Sequence, residues 1–494
     1  MRRVLFGVLF GGLLGVVACH ESTASVERGS AEILGTISRD LPAVDSDKAR
    51  LALVQDAWRR EQRFRDAVDP GHLFRATRVE QEEIDHELWT ADELYQLGGQ
   101  IFTLEHTPAH GFGGAHGPTL RRFHLGARGG PDAYACTSCH WRGGLGGAGD
   151  AADNAMLLGD GLHQSTTLAR NPPALAGIGV REQLAVEMNA QLAAVRDDAI
   201  TAAAAAGHGV RSKLESKGVG FGYITARTDG TIDTSEIEGL DHDLVIKPFG
   251  RKGTLASIRD AAEGELLVHH GMQSTHLVEH ADALRIGPDG GADPDGDGIA
   301  NEIVEGQVTA LVAFLALLEV PQEEIPGGGP YFATLWARGR LDFETFGCAT
   351  CHSPTLVMDD AAYRLPHRDG GPVLELDLAS DGATPRIAIE ADGTAMVRVY
   401  SDFKRHRMGD ALAESRGHDG AAADEYITPP LWGVARSRPY LHDGRAPTLE
   451  DAILLHGGEA QASRDAYAAL DDAGRGPLRV FLTSLVRATR LVTP

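Results

Sequence analysis

Cys136-Thr137-Ser138-Cys139-His140 and Cys348-Ala349-Thr350-Cys351-His352 decide how this chain is read. Each is a C-x-x-C-H, the attachment signature of a c-type haem. The spacing has a physical reason. Two thiols three positions apart on one turn can each form a thioether with a vinyl group, and the adjoining imidazole then reaches the iron from the proximal side. With cysteine at about 1% and histidine at about 4%, one such match is expected by chance about 0.002 times in this length. Zinc would need four ligands in a tetrahedron, so the two pairs would have to meet across the chain and leave each His without a role. A thioredoxin-like dithiol needs a βαβ context that neither motif has. Two covalently bound haem c groups follow: Cys136 and Cys139 hold the first, Cys348 and Cys351 the second, with His140 and His352 as proximal iron ligands.

The remaining cysteine, Cys19, has a different setting. Residues 1–19 read MRRVLFGVLFGGLLGVVAC: two arginines, an apolar run, then small residues. The run is shorter than the ~20 residues a membrane-spanning helix needs, and the plan is that of a secretory signal peptide. Val16-Val17-Ala18-Cys19 also resembles a lipobox, so residues 1–18 are expected to be removed and Cys19 lipidated; an uncleaved anchor helix is the other reading. The expected location is the periplasmic side of a membrane, the outer one by preference. Across 494 residues Lys+Arg number 46 and Asp+Glu 70, a net charge of 46 − 70 = −24. That excludes nucleic acid as a default partner, since phosphate neutralisation needs clustered cations.

Around the motifs one plan recurs: an amphipathic helix, C-x-x-C-H, a long irregular stretch, a closing amphipathic helix. Leu94, Leu97 and Ile101 precede the first motif, and Val308, Leu311, Val312, Leu315 and Leu318 close its copy. Phe332, Leu335 and Trp336 precede the second, and Leu478, Phe481, Leu482, Leu485 and Val486 close it. The breaker Ile325-Pro326-Gly327-Gly328-Gly329-Pro330 separates the copies. Residues 19–90 read as a helical lead-in around Leu51, Val54, Trp58 and Phe64, 91–326 as the first unit, and 330–494 as the second. An insertion at roughly 190–300 lengthens the first, with polyalanine near 202–206 and a strand-like stretch at 219–248. The fold class expected is mostly α, with a partly β, irregular insertion. Gly143-Gly144-Leu145-Gly146-Gly147 follows no strand, so it reads as a haem-side loop rather than a phosphate cradle.

Further segments carry a family resemblance: Arg170-Asn171-Pro172-Pro173-Ala174-Leu175, Thr428-Pro429-Pro430-Leu431-Trp432-Gly433, Tyr440-Leu441-His442-Asp443-Gly444-Arg445-Ala446 and His456-Gly457-Gly458-Glu459-Ala460. Over about 90–494 the chain resembles the di-haem oxidoreductases related to bacterial di-haem cytochrome c peroxidases, most closely a branch sometimes called thiol oxidoreductases. The resemblance implies two cytochrome c-like domains. It makes His456, fourteen positions after His442, the distal ligand of the second haem, where the peroxidases usually have Met; Met408 is the alternative. His/His ligation lowers a haem potential relative to Met/His. At the first haem it points to His163, eight positions before Asn171, as a displaceable distal ligand; an exposed loop histidine is the other reading.

Peroxide cleavage needs a group beside the iron that takes and returns a proton. The peroxidases place a Gln/Glu pair after the Asn-x-Pro segment, which suggests Gln183 and Glu187, although the spacing does not carry across. Glu265, His269, His270 and Gln273 are rivals. Val186 stands where the peroxidases have a bridging Trp, leaving Trp141 or Trp432 as substitutes. Asp293, Asp295, Asp297 and Asn301 hold oxygens at positions 1, 3, 5 and 9 of a partial calcium loop, with Val304 where the bidentate Glu belongs; a metal-free acidic turn is the equal reading. The family's inter-domain calcium would use Asn171, Ser437 and Pro439.

The function expected is a peroxidase-like di-haem oxidoreductase, with peroxide or oxygen reacting at the first haem and electrons passing through the second. The alternatives are an electron-transfer cytochrome with both irons six-coordinate, and a haem oxygenase acting on an organic substrate, as in the related rubber oxygenases. Its electron donor would be a small redox protein, basic where it docks on this acidic chain, or a quinol-derived source.

Overall fold

The structure is a computed structural model and describes residues 78–106, 133–157, 159–160, 163–280, 302–325, 327, 329–366, 372–418 and 420–487. The leader with Cys19, the lead-in positions Leu51 to Phe64, and the loop residues Asp293, Asp295, Asp297 and Asn301 lie outside these. Helix outweighs strand, 39% to 17%, as expected of a mostly α chain. No helix among the described residues is long and apolar enough to cross a membrane.

Among the described residues ten α-helices run in order: α1 (Gln81–Asp85), α2 (Ala91–Thr103), α3 (Ile178–Ala206), α4 (Ile258–His270), α5 (Thr275–Glu279), α6 (Glu305–Ala316), α7 (Pro330–Thr345), α8 (Leu449–Leu455), α9 (Gln461–Ala468) and α10 (Asp472–Leu482). Local chemistry sets their ends. Thr90 and Glu93 form a capping box on α2, Thr448 and Asp451 another on α8, and Ser257 accepts the Asp260 N–H at the start of α4. Each C-x-x-C is wound as a single 3-10 turn, Cys136–Ser138 and Cys348–Thr350.

The recurring plan holds at the level of single residues. Helix α2 crosses α6 at Gly98, which rests on the Ala310 carbonyl; α7 crosses α10 at Gly339, which rests on the Pro477 carbonyl. Only glycine permits such an approach. Four residues after each glycine stands a phenylalanine, Phe102 or Phe343, each with its ring centre 6.4 Å from the imidazole of its own motif, His140 or His352. Four residues after each carbonyl stands the partner ring: Phe314 lies 5.2 Å from Phe102, and Phe481 lies 5.4 Å from Phe343. One difference from the periodicity is that α10 ends at Leu482, so Leu485 and Val486 are not helical. They form β13 (Leu485–Val486), which pairs antiparallel with β6 (Gln322–Glu323) next to the expected breaker.

The insertion begins inside a helix. Leu184, Met188 and Leu192, then Ala199 and Ala203, bury one face of α3, and the polyalanine is its last turn, closed by Gly207 at φ 67°. Strands β3 (Val210–Ser216), β4 (Val219–Ala226) and β5 (Ile232–Ile237) follow as an antiparallel sheet whose Leu214, Phe221 and Ile224 join the main core. The other strands form two-stranded ribbons: β1 (Ala155–Leu157) with β2 (Leu168–Arg170), β7 (Leu356–Met358) with β10 (Ala395–Val397), β8 (Ala362–Leu365) with β9 (Leu374–Asp377), and β11 (Arg405–Arg407) with β12 (Glu425–Ile427). A second, smaller core gathers Phe343, Tyr400, Tyr467, Leu478 and Phe481.

Candidate functional site

Both attachment motifs open into one cavity of about 1760 Å³. A single small-molecule site typically spans about 300–1,000 Å³, so this one has room for two. The repeated helix pairs supply matching walls: Leu311 and Leu315 from α6, Leu478 and Leu482 from α10. None of the four motif cysteines is paired in a disulfide. Burial pushes the Cys136 thiol up to about 12 and the Cys348 thiol up to about 11, which suits groups enclosed by apolar walls.

The two motif histidines are held alike. His140 directs Nδ1 to the Pro173 carbonyl at 2.9 Å and the Gly147 carbonyl at 3.3 Å; His352 directs Nδ1 to the Tyr400 carbonyl at 3.1 Å. A carbonyl accepts only, so each Nδ1 carries the proton and each Nε2 keeps a lone pair for a metal. Desolvation lowers the pKa of both, His352 to about 4, so neither is protonated at neutral pH. The glycine run helps position the first: Gly146 donates its N–H to the His140 carbonyl, and Arg142 bridges to Ala148 across the loop.

Beyond the motifs the two sites differ. His456, the residue capping the C-terminus of α8, directs Nδ1 to the Ala452 carbonyl at 2.7 Å, which again leaves Nε2 available. It lines the cavity and lies near enough to lower the His352 pKa. Met408 also lines the cavity, beyond β11. On the first side the wall is α4, which presents Glu265, His269 and His270 to the cavity. Glu265 and His269, one turn apart, form an ion pair at 2.5 Å. Desolvation within the cavity works against the Glu265 charge, but the His269 imidazole paired with it outweighs this and holds the carboxyl below its ordinary range. His270 is tied through Nδ1 to the Ala133 carbonyl at 2.9 Å, and burial drives its pKa down to about 3.

Other residues singled out from sequence sit elsewhere. Glu187 accepts the backbone N–H groups of Asp359 and Asp360 and pairs with Lys217 at 2.7 Å; Gln183 donates to Glu187 at 3.3 Å. These two brace the β3–β4 turn and the β7–β8 turn and do not line the cavity. Gln273 is buried beyond the C-terminus of α4, where its backbone N–H meets Glu302. His163 is largely exposed, its Nδ1 2.8 Å from Asp160, and it is not among the cavity-lining residues. The Asn171 side chain is buried amid oxygens, its Nδ2 donating to the Asp150 carbonyl and to Asn154 Oδ1 at 3.0 Å each, while Ser437 and Pro439 line the cavity. Trp432 lines the cavity and packs on Gly177; Trp141 is half-exposed and donates to Asp153.

Sequence reasoning missed the cations of the cavity wall, Arg181 and Arg251 among them. A signal existed: Arg181 directly follows the uncharged run from Pro172 to Val180, at the start of α3. The donor set fits haem closely. Paired thiols stand beside metal-ready imidazoles, and the walls between are apolar.

Residues 333–485 match the model of a family described as "Di-haem oxidoreductase, putative peroxidase". No curated protein matches the chain. Among solved structures, a Kuenenia stuttgartiensis hydrazine synthase pressurised with xenon is similar at 14% identity and TM-score 0.33, over 80% of this chain and 87% of that one. A MauG-like protein associated with microbial copper homeostasis is similar at 15% identity and TM-score 0.32, over 80% of this chain and 88% of that one. The matched stretch, residues 333–485, contains the second C-x-x-C-H motif, His456 and α10, and over it the chain is similar to the di-haem oxidoreductase family.

Proposed function

We propose that this protein is an exported c-type di-haem oxidoreductase of the peroxidase kind, in which peroxide or oxygen reacts at the first haem and electrons arrive through the second. The observation that carries this reading is the asymmetry of the shared cavity. An anchored histidine, His456, accompanies His352, whereas an acid–base pair, Glu265 and His269, accompanies His140. His163, which a carrier with two closed irons would need, rests on Asp160 instead.

Each haem, when bound, supplies an iron that exchanges single electrons, and an iron with a free axial position can bind peroxide or oxygen. The chain's residues do the rest. Cys136 and Cys139, and Cys348 and Cys351, hold the rings by thioethers. His140 and His352 would each hold an iron, fixed in orientation by a backbone carbonyl. His456 would be the further ligand that keeps the second iron for electron transfer, with Met408 as the alternative. Glu265, ionised and placed on the wall of the first site, would be the group that accepts a proton there and gives it back during peroxide cleavage. His269 holds that carboxylate in place and steadies its charge. Trp432 offers an aromatic step between the two sites. The leader places the protein outside the cytoplasm, where c-type attachment is completed, and Cys19 tethers it to a membrane.

The test is turnover. The reduced holoprotein should consume hydrogen peroxide with oxidation of both haems, and an acidic surface predicts that salt slows delivery from a basic donor. A reduced protein that stays reduced under peroxide contradicts the proposal and favours the carrier.

A further inference from the structure

Arg181 stands in the first turn of α3 with its guanidinium 5.4 Å from the Phe249 ring and 5.9 Å from the Phe403 ring. It makes no hydrogen bond or ion pair with any described residue, and its Nε is sealed from solvent. Arg251 lies nearby, close enough to lower the Arg181 pKa. Its side chain makes one hydrogen bond, from Nη2 to the Asn171 carbonyl at 2.7 Å, and its Nε is likewise buried without a partner. Both line the shared cavity.

Several other enclosed cations are paired with carboxylates: Arg170 and Lys252 with Glu414, Arg259 with Glu305, Arg405 with Asp241, Arg487 with Glu319; Arg386, outside the cavity wall, is met instead by four backbone carbonyls. A buried charge without a counter-charge is strongly unfavourable, and a second like charge beside it adds repulsion. Desolvation accordingly pulls Arg181 down to about 9 and Arg251 down to about 10. Such a pair is stable when an anion enters the cavity beside it, and the guanidinium fork matches a carboxylate.

We infer that Arg181 and Arg251 form a cradle for the propionate carboxylates of the first haem. The inference rests on the di-haem reading and adds to it the way the ring is oriented. Thioethers at Cys136 and Cys139 fix the vinyl edge, so the propionates extend away from the motif into the protein. Both arginines belong to the segment that fixes the first proximal ligand: Arg251 bonds the Asn171 carbonyl, two residues before the Pro173 carbonyl that holds His140, and Arg181 follows eight residues after Pro173. Cations at that place keep the propionates ionised and favour the reduced, less positively charged iron, which raises the potential of the first haem.

The experiment uses the full holoprotein, Arg181→Gln, Arg251→Gln and Arg181→Lys. Haem content is measured first: fewer than two haems per chain in the wild type refutes the di-haem reading, whereas two haems with the results below unmet refutes the cradle alone. Spectroelectrochemistry should show each glutamine variant lowering the first-haem midpoint potential by at least a tenfold change in the ferric-to-ferrous ratio, 59 mV for one electron, with the second haem unmoved. Resonance Raman should show the propionate bending band displaced. Arg181→Lys keeps the charge and loses the fork, so it should displace the band while retaining most of the potential; it also serves if a glutamine variant does not fold. An unmoved first-haem potential with an unmoved band overturns the inference, as does a shift confined to the second haem. If potentials stay fixed while added benzoate binds the wild type and not the variants, the carboxylate is that of a substrate and the propionate assignment is wrong.

Discussion

Gly98 lies so close to Ala310 that a methyl group on it would overlap the Ala310 carbonyl oxygen, and Gly339 stands in the same relation to Pro477. The two contacts set how near each helix pair comes together, and therefore where Phe102 and Phe343 meet their imidazoles. Gly98→Ala and Gly339→Ala should each destabilise the protein by about 2 kcal/mol, overpacking of ~3 kcal/mol offset by the ~1 kcal/mol gain in helix propensity. Gly476→Ala, also in α10 but with nothing within 4 Å, should instead gain up to about 1 kcal/mol. Urea unfolding of the three variants checks the contrast.

On the proposed ligation, replacing His456 by Met would exchange His/His for Met/His at the second iron. His456→Met should leave that iron six-coordinate and raise its potential, with the first haem unchanged. Spectroelectrochemical titration reads both. A potential that does not move would transfer the ligand role to Met408.

Glu265→Gln keeps the shape of the first site and removes the proton acceptor. Peroxide kcat/KM should fall by about 10²–10⁴-fold with the haem spectra retained. Because the paired His269 holds the carboxyl below its ordinary range, wild-type turnover should persist into mildly acid solution and decline only as the carboxyl takes up its proton. Stopped-flow turnover against pH tests both statements.

His406 gives a pH signature of stability. Its Nε2 lies 2.9 Å from Asp402 and its Nδ1 2.7 Å from Glu459. Burial opposes the imidazolium, but Asp402 outweighs it, and the pKa rises from 6.5 to about 11, with the neighbouring Cys351 contributing while it is a thiol. A pKa raised on folding gives stabilisation that is complete below the unfolded value and lost as pH rises through the folded one. His406→Gln should therefore cost about 3 kcal/mol at pH 6, where it strands buried Asp402, and progressively less as pH rises above 6.5 through the raised folded value. Unfolding at several pH values checks the slope.

What the sequence made legible was whatever had a fixed local spacing. C-x-x-C-H located the attachment residues, and the i, i+3, i+4 pattern located α2, α6 and α10, because both signals lie within one or two helical turns. The crossing glycines were present in the same windows but look like ordinary helix breakers until the opposing carbonyl is seen. Gln183 and Glu187 were selected by position after Asn-x-Pro, yet α3 turns them toward the β-ribbons. Glu265 comes to the first motif across more than a hundred residues, a distance no local pattern spans. Arg181 and Arg251 were hidden for the opposite reason: only the fold reveals that, among the described residues, neither forms an ion pair, Asp443 acting on Arg251 only from a distance.

The coordination of the first iron tests the central claim most directly. Electron paramagnetic resonance of the oxidised holoprotein, recorded with and without cyanide, should show one low-spin bis-histidine signal indifferent to cyanide, from the haem held by His352 and His456. A second, distinct signal from the haem held by His140 should convert when cyanide is added. Two low-spin bis-histidine signals that both ignore cyanide would contradict the account.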